Sequence, residues 1–82
     1  MASKEVSCAV ELKGKVLRTI VDSVEGEEVD LTDGVKIFHD NDWALVLPDP
    51  SRPVIHLYAE AETEKQAQKL IDKYVEKIDQ VT

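Results

Sequence analysis

The sequence predicts a two-layer α+β sandwich, in which two helices cover one face of a four-stranded antiparallel sheet, in the order α-β-β-β-β-α. Apolar residues recur at three- and four-residue steps near both ends of the chain, which is the helix period, and alternate at every second residue in between. The alternating runs are separated by turns of hairpin length, so neighbouring strands are expected to be antiparallel. Each helical stretch has one apolar stripe, which places both helices on the same sheet face.

Size and composition restrict the protein class further. The chain has 82 residues, 43% of them hydrophobic, which predicts one domain (1–82) with a single core. Its net charge of −7 and the lack of a lysine and arginine stripe argue against a nucleic-acid partner. No apolar run approaches the roughly 18 residues of a membrane span, and the N-terminus lacks a signal-peptide pattern. Cys8 is the single cysteine, so no disulfide forms within the chain. We therefore expect a cytoplasmic domain.

The first helix is predicted from a long apolar stripe. Ser7 is expected to be its N-cap, and Gly26 its left-handed stop. Gly14 within it costs about 1 kcal/mol relative to alanine, so we expect another backbone to approach there. The stripe consists of Val6, Ala9, Val10, Val16, Leu17, Ile20, Val21 and Val24.

Four strands follow, separated by two turns. Asp33-Gly34 predicts a tight hairpin, and Asp40-Asn41-Asp42 predicts a second turn. The third strand has apolar residues on both of its faces, so it is expected to be central, or covered on its second side by something outside this chain. Because both helices cover one sheet face, the other face is expected to lie open, carrying Phe38, Trp43 or its neighbours, His56 and Tyr58. The predicted strands are Glu27 to Asp33, Val35 to His39, Trp43 to Leu47 and Val54 to Ala61.

The last helix has the clearest start signal in the chain. Thr63-Glu64-Lys65-Gln66 is a capping box, in which Thr63 is the N-cap and the Gln66 side chain reaches back to it. The apolar stripe that follows consists of Ala67, Leu70, Ile71, Tyr74, Val75, Ile78 and Val81.

The loop Pro48-Asp49-Pro50-Ser51-Arg52-Pro53 is the candidate binding element. It contains all three prolines of the chain, which stiffen it between the last two strands. Rigid loops on a sheet are frequent locations of binding groups. The chain has no glycine-rich phosphate cradle, no nucleophile elbow and no clustered metal ligands. The isolated domain is therefore expected to be non-catalytic.

Three segments resemble a known domain: G-V-K-I-F, W-A-L-V-L-P and P-V-I-H-L-Y-A-E-A-E-T-E-K-Q-A. They are similar to the C-terminal domain of the α-D-phosphohexomutases, the phosphomannomutase and phosphoglucomutase enzymes. The resemblance covers about Val6 to Val81. It implies a TATA-binding-protein-like fold whose loop between the last two strands holds the phosphate of a sugar substrate. The substrate-phosphate-binding positions are then Asp49, Ser51, Arg52 and His56.

The loop departs from the family pattern Arg-Pro-Ser-Gly-Thr-Glu-Pro. Leu47 stands in place of the phosphate-binding arginine, Asp49 in place of serine, and Pro50 in place of glycine. Ser51 replaces the threonine and Arg52 the glutamate, while a further arginine of many members is His56 here. Phosphate binding needs a guanidinium fork, hydroxyls and free amides, and this loop has lost several of them while gaining a carboxylate. We therefore expect a degenerate phosphate loop.

One subgroup of the family is more similar than the active mutases. The lead-in Cys8, Glu11, Leu12, Lys13 and Gly14 and the L-P-D-P loop resemble the phosphomutase-like tail of bacterial mannose-1-phosphate guanylyltransferase fusions. This implies a fragment of a longer sugar-phosphate enzyme, with other domains of that polypeptide as partners. It implies no cofactor in this domain and Mg²⁺ in the parent. The alternative is a non-catalytic assembly module that uses the open sheet face.

Overall fold

The computed structural model describes residues 1–82 and confirms an α+β fold with two helices and an antiparallel sheet. The sheet has five strands, not the predicted four, in the order β1-β5-β4-β3-β2, and every neighbouring pair is antiparallel. The strands are β1 (Ala2–Ser7), β2 (Glu28–Asp30), β3 (Val35–His39), β4 (Asp42–Pro48) and β5 (Val54–Glu60), and the helices are α1 (Lys13–Ser23) and α2 (Glu64–Val81). A short 3-10 helix, Val10–Leu12, precedes α1.

The additional strand corrects the predicted start of the first helix. Ser7 is not an N-cap, because Ala2–Ser7 pair with β5, with Ala2 opposite Ala59 and Val6 opposite Ile55. Without β1, the backbone polar groups along one edge of β5 would have no strand partner. The helical spacing of Val6 and Ala9 is a coincidence, since Val6 lies in β1 and Ala9 lies between β1 and the 3-10 helix.

The turns around β2 differ in detail from the predicted ones. β2 is shorter than Glu27 to Asp33, because the Asp30 carboxylate accepts hydrogen bonds from the amide and hydroxyl of Thr32 at 2.9 and 2.6 Å and turns the chain. These bonds hold the pKa of Asp30 below its ordinary value. The β2–β3 hairpin is present, with residues 31–34 between the strands rather than a two-residue turn.

The glycines have distinct roles. Gly26 has the predicted positive φ of 92°, although α1 already ends at Ser23. Gly34 has a φ of 136°, and a Cβ there would lie 2.5 Å from the Val46 carbonyl oxygen. At Gly14 a Cβ would meet nothing within 4 Å, so the predicted close backbone approach is wrong.

A single core lies between the helices and one sheet face. The start of α2 is confirmed, because Thr63 Oγ1 accepts a hydrogen bond from the Gln66 amide at 3.1 Å, although the Gln66 side chain makes no return bond. The largest fully buried side chains are Tyr74, Ile20, Ile37, Ile55, Leu57, Ile71, Ile78, Val16 and Val46. Cys8 is also buried, and burial raises the pKa of its thiol.

The opposite sheet face is open, as predicted. The side chains of Phe38, Trp43 and Tyr58 are half-buried there with no helix above them. Lys36 Nζ lies 4.4 Å from the centre of the Trp43 ring, a cation–π distance. Neither α1 nor α2 combines the length and apolar character that crossing a membrane requires.

Candidate functional site

The loop between β4 and β5 is closed tightly by backbone hydrogen bonds. The amide of Asp49 donates to the carbonyl of Val54 at 3.1 Å, and the amide of Val54 donates to the carbonyl of Arg52 at 2.8 Å. The amide of Cys8, just after β1, donates to the carbonyl of Pro53 at 2.8 Å. The loop is therefore fixed both to its own strands and to the segment that follows β1.

The Asp49 carboxylate lies over the loop and binds its amides. Oδ1 accepts hydrogen bonds from the backbone amides of Ser51 and Arg52, both at 2.8 Å. Oδ2 lies 2.9 Å from Nε2 of His56, whose ring comes from the open face of β5. The His56 contact, followed by the two amides, holds the pKa of Asp49 well below its ordinary value. Asp49 is therefore ionised at physiological pH.

Glu5 of β1 is a second carboxylate at the loop, and it contacts both Arg52 and His56. Its Oε1 and Oε2 lie 3.3 and 3.2 Å from Nη1 and Nη2 of Arg52, which is a two-point ion pair. Glu5 Oε1 is also 3.6 Å from Nδ1 of His56. The His56 ring therefore has one carboxylate near each nitrogen, and the Arg52 guanidinium is already paired.

Lys13, the first residue of α1, holds the loop from the other side. Its Nζ donates hydrogen bonds to the carbonyl oxygens of Asp49 and Arg52 at 2.5 and 2.6 Å. The loop carbonyls are thus bound by an ammonium group, while the amides of Ser51 and Arg52 are bound by a carboxylate. The loop conformation depends on both contacts.

We expect Lys13→Met to loosen this loop without changing the fold. It removes two charge-assisted hydrogen bonds and keeps the aliphatic stem, so the free energy of unfolding should fall by about 1 to 2 kcal/mol. Amide hydrogen exchange at Ser51 and Arg52 should become faster. Urea denaturation and exchange measured by NMR check both effects, with Lys15→Met as the control, since the exposed Lys15 makes no hydrogen bond. Equal stability and equal exchange rates in the two variants would contradict this role of Lys13 in holding the loop.

The structure brings the four predicted site residues together. Asp49, Arg52 and His56 form one network, and the Ser51 amide belongs to it, whereas the Ser51 hydroxyl makes no hydrogen bond. Sequence reasoning missed Glu5 because it did not recognise β1. It also assigned no role to Lys13, whose only signal was its place in the lead-in of the family resemblance.

The comparisons with known proteins support a phosphomutase-like domain. The chain is 36% identical over 73 residues to a probable phosphoglucosamine mutase of Methanopyrus kandleri, and 34% identical over 74 residues to one of Pyrococcus horikoshii. These matches cover 87% and 85% of the chain. The chain spans 16% of the length of each of these two relatives. No model of a known protein family matches it.

A solved structure supports the same fold. A phosphoglucomutase/phosphomannomutase family protein from Burkholderia thailandensis superposes with a TM-score of 0.67 and 18% identity, covering 98% of this chain and 18% of that one. At this identity the superposition speaks for the fold alone. It agrees with the phosphohexomutase-like architecture that the sequence resemblance implied, with five strands in place of four.

Proposed function

We propose that this chain is the C-terminal, substrate-phosphate lobe of a phosphomannomutase/phosphoglucomutase-like region, with a degenerate phosphate loop. The match to the Methanopyrus kandleri relative carries the proposal, because it covers 87% of the chain. A match of that extent has to include the β4–β5 loop near the middle of the sequence. The parent is a sugar-phosphate enzyme, in our proposal a mannose-1-phosphate guanylyltransferase fused to the mutase-like region, with Mg²⁺ held by its other domains.

The side chains of the loop support a reduced affinity for phosphate. Ser51 offers a hydroxyl, and Arg52 and His56 offer nitrogen donors, but the guanidinium is paired with Glu5 and the imidazole with Asp49. Leu47 provides no guanidinium fork where the family has one. The lobe therefore contributes the shape that closes the sugar-phosphate site more than it contributes charge.

A graft tests the lobe assignment. The matched segment of the Methanopyrus kandleri relative is replaced by this chain, and phosphoglucosamine mutase activity is measured at a temperature at which circular dichroism shows the graft folded. We expect a folded graft whose kcat/KM is lower by about 10²-fold or more, since lost guanidinium and amide contacts act on transition-state charge. Restoring the loop with Leu47→Arg, Asp49→Ser and Pro50→Gly should raise kcat/KM at least tenfold.

The control graft carries the corresponding segment of the Pyrococcus horikoshii relative. If that graft is active while the restored graft stays inactive, the lobe assignment fails. If both are inactive, the junctions are at fault, and they are then moved to the ends of the superposed Burkholderia thailandensis domain before the comparison is repeated.

The open sheet face favours a second role, as an assembly surface for other domains of the polypeptide. Leu45 and Tyr58 lie opposite each other there, half-buried and uncovered. Apolar patches of this kind mark contact surfaces. In the graft, Leu45→Asp should separate this domain's thermal transition from that of the host, whereas Lys4→Asp, on the exposed edge strand, should not. Coincident transitions in both variants would exclude the role.

A further inference from the structure

We infer that the carboxylate of Asp49 occupies the anion position of the β4–β5 loop as a tethered ligand. Phosphate then enters only when that carboxylate is removed or displaced. The inference rests on the proposed function in taking this loop as the one that faces phosphate. It goes further by assigning the occupant, which comes from the chain itself.

The donors around the Asp49 carboxylate are those that a phosphate requires. Two consecutive backbone amides, of Ser51 and Arg52, point at one oxygen at 2.8 Å, and Nε2 of His56 lies 2.9 Å from the other. Successive amides directed at one point form an anion-binding concavity, and an imidazole beside them adds a donor. Three nitrogens converge on one small anion, so a phosphate would have to use the same three.

The Asp49 carboxylate competes strongly for this position because it is covalently joined to the loop. The carboxylate is joined to the loop it occupies by one methylene and its own backbone, so it competes at an effective concentration that an added ligand at millimolar concentration does not reach. The Asp49 side chain is only 15% exposed, consistent with a group seated in a site and not extended into solvent. Free phosphate therefore meets a filled site.

Glu5 of β1, which lies outside the loop, adds to the exclusion of phosphate. Its two-point pair with Arg52 turns the guanidinium towards β1, and its second contact, at 3.6 Å, is to the His56 ring. The Arg52 guanidinium and the His56 imidazole, which could draw an anion to the loop, are thus already in contact with Glu5 and Asp49. Repulsion between these carboxylates and phosphate therefore disfavours binding, in addition to the occupation of the two amides by Asp49.

An ordinary turn-capping aspartate is the competing explanation, and the two make different predictions. Aspartate commonly accepts hydrogen bonds from amides two residues on, simply to stabilise a turn. Removing such a cap loosens the turn and creates no affinity for anions. Removing a resident anion from a preformed site leaves free donors, and so creates affinity.

The test is a titration of the 82-residue chain with inorganic phosphate, followed by amide chemical shifts in NMR. The wild type should give no saturable shifts at the Ser51 and Arg52 amides. Asp49→Ser, which restores the family residue, should give saturable shifts there, with an affinity at least tenfold above the wild-type limit. Asp33→Ser is the matched control, because it removes the same charge from an exposed loop elsewhere.

Asp49→Asn separates occupancy from charge. The asparagine side chain keeps an oxygen that can accept from both amides, so it should remain in the site and bind phosphate much less well than Asp49→Ser. Equal affinity in the two variants would mean that charge alone excluded phosphate, which overturns the occupancy.

A flat titration of Asp49→Ser, with the α2 amide shifts unchanged and the fold therefore intact, would also overturn the inference. If Asp49→Ser fails to fold, Glu5→Gln in the Asp49→Asn background takes its place. It frees Arg52 and should raise phosphate affinity at least threefold over Asp49→Asn, and no gain would count against the site. Failure of the graft experiment alongside a gain in Asp49→Ser would remove the lobe role and leave this site standing.

Discussion

Gly34→Ala is expected to lower the free energy of unfolding by about 3 kcal/mol or more, because it combines backbone strain with a backbone collision. The φ of 136° at Gly34 is one that L-residues rarely adopt. An added Cβ would also lie 2.5 Å from the Val46 carbonyl oxygen, in a strand that cannot move without breaking its pairs with β3 and β5. A domain of this size has only about 4 to 12 kcal/mol to lose.

The two other glycines are matched controls for this substitution. Gly26→Ala should cost about 1 kcal/mol, since φ is 92° there but nothing lies within 4 Å of the new Cβ. Gly14→Ala, in α1 with open space around it, should stabilise the protein by about 0.5 to 1 kcal/mol. Urea denaturation of the three variants gives the order of their free energies of unfolding. A Gly34→Ala variant as stable as Gly26→Ala would show that the collision is relieved without cost.

The second large effect is an alkaline loss of stability caused by Tyr74. Its side chain is buried, and its hydroxyl lies 3.0 Å from Nε2 of His39, whose Nδ1 is 3.0 Å from Glu27 Oε1. Burial, and then the charge of Glu27, raise the pKa of Tyr74 from 10.0 to about 12. The unfolded chain therefore releases this proton at a lower pH than the folded chain.

The sign of the effect follows from that difference. Below pH 10 the tyrosine is neutral in both states and its contribution is complete, and between pH 10 and about 12 the unfolded state is favoured progressively. The loss is on the order of 2 kcal/mol. Chemical denaturation at several pH values should show a steeper alkaline fall for the wild type than for Tyr74→Phe. Tyr58→Phe, on the open face, controls for the tyrosine count, and parallel profiles for wild type and Tyr74→Phe would contradict the assignment.

The fold was predictable where periodicity and turn chemistry agreed. The α2 stripe follows directly on the Thr63 cap, and β5 alternates between buried Ile55 and half-buried His56. Both elements were found because local preference and burial indicate the same structure there. β2 was predicted too long, because its alternation continues to Leu31, whereas the Asp30–Thr32 hydrogen bonds end the strand.

β1 was missed for a different reason. Its partner is more than 50 residues away in sequence, with Ala2 opposite Ala59, and its only apolar residues facing the core are Ala2 and Val6. An edge strand with Ser3, Lys4 and Glu5 in its middle has no local pattern that favours a strand over a helix extension. Pairing with β5 determines its conformation, and that is a tertiary effect.

The clustering of the four candidate site residues was predictable from the sequence, but their contacts with one another were not. The prolines and the family resemblance identified the loop and its four candidate residues. The sequence showed that the loop gains the Asp49 carboxylate, but not that this carboxylate accepts hydrogen bonds from the Ser51 and Arg52 amides. Glu5 reaches Arg52 because β1 pairs with β5, and Lys13 reaches the loop carbonyls because α1 begins at that residue. Both depend on elements far apart in the sequence.

The pairing of β1 with β5 has a consequence for how the chain folds. The hairpins β2–β3, β3–β4 and β4–β5 close over short loops, so this meander can form early. β1 can be added only once β5 is in place, and because the meander already orders most of the intervening chain, the loop left to close runs from Ser7 to Glu28. Glu5 arrives with β1. The Arg52 guanidinium therefore has no Glu5 partner until β1 has paired with β5, and the ion pair forms only in chains in which that pairing is made.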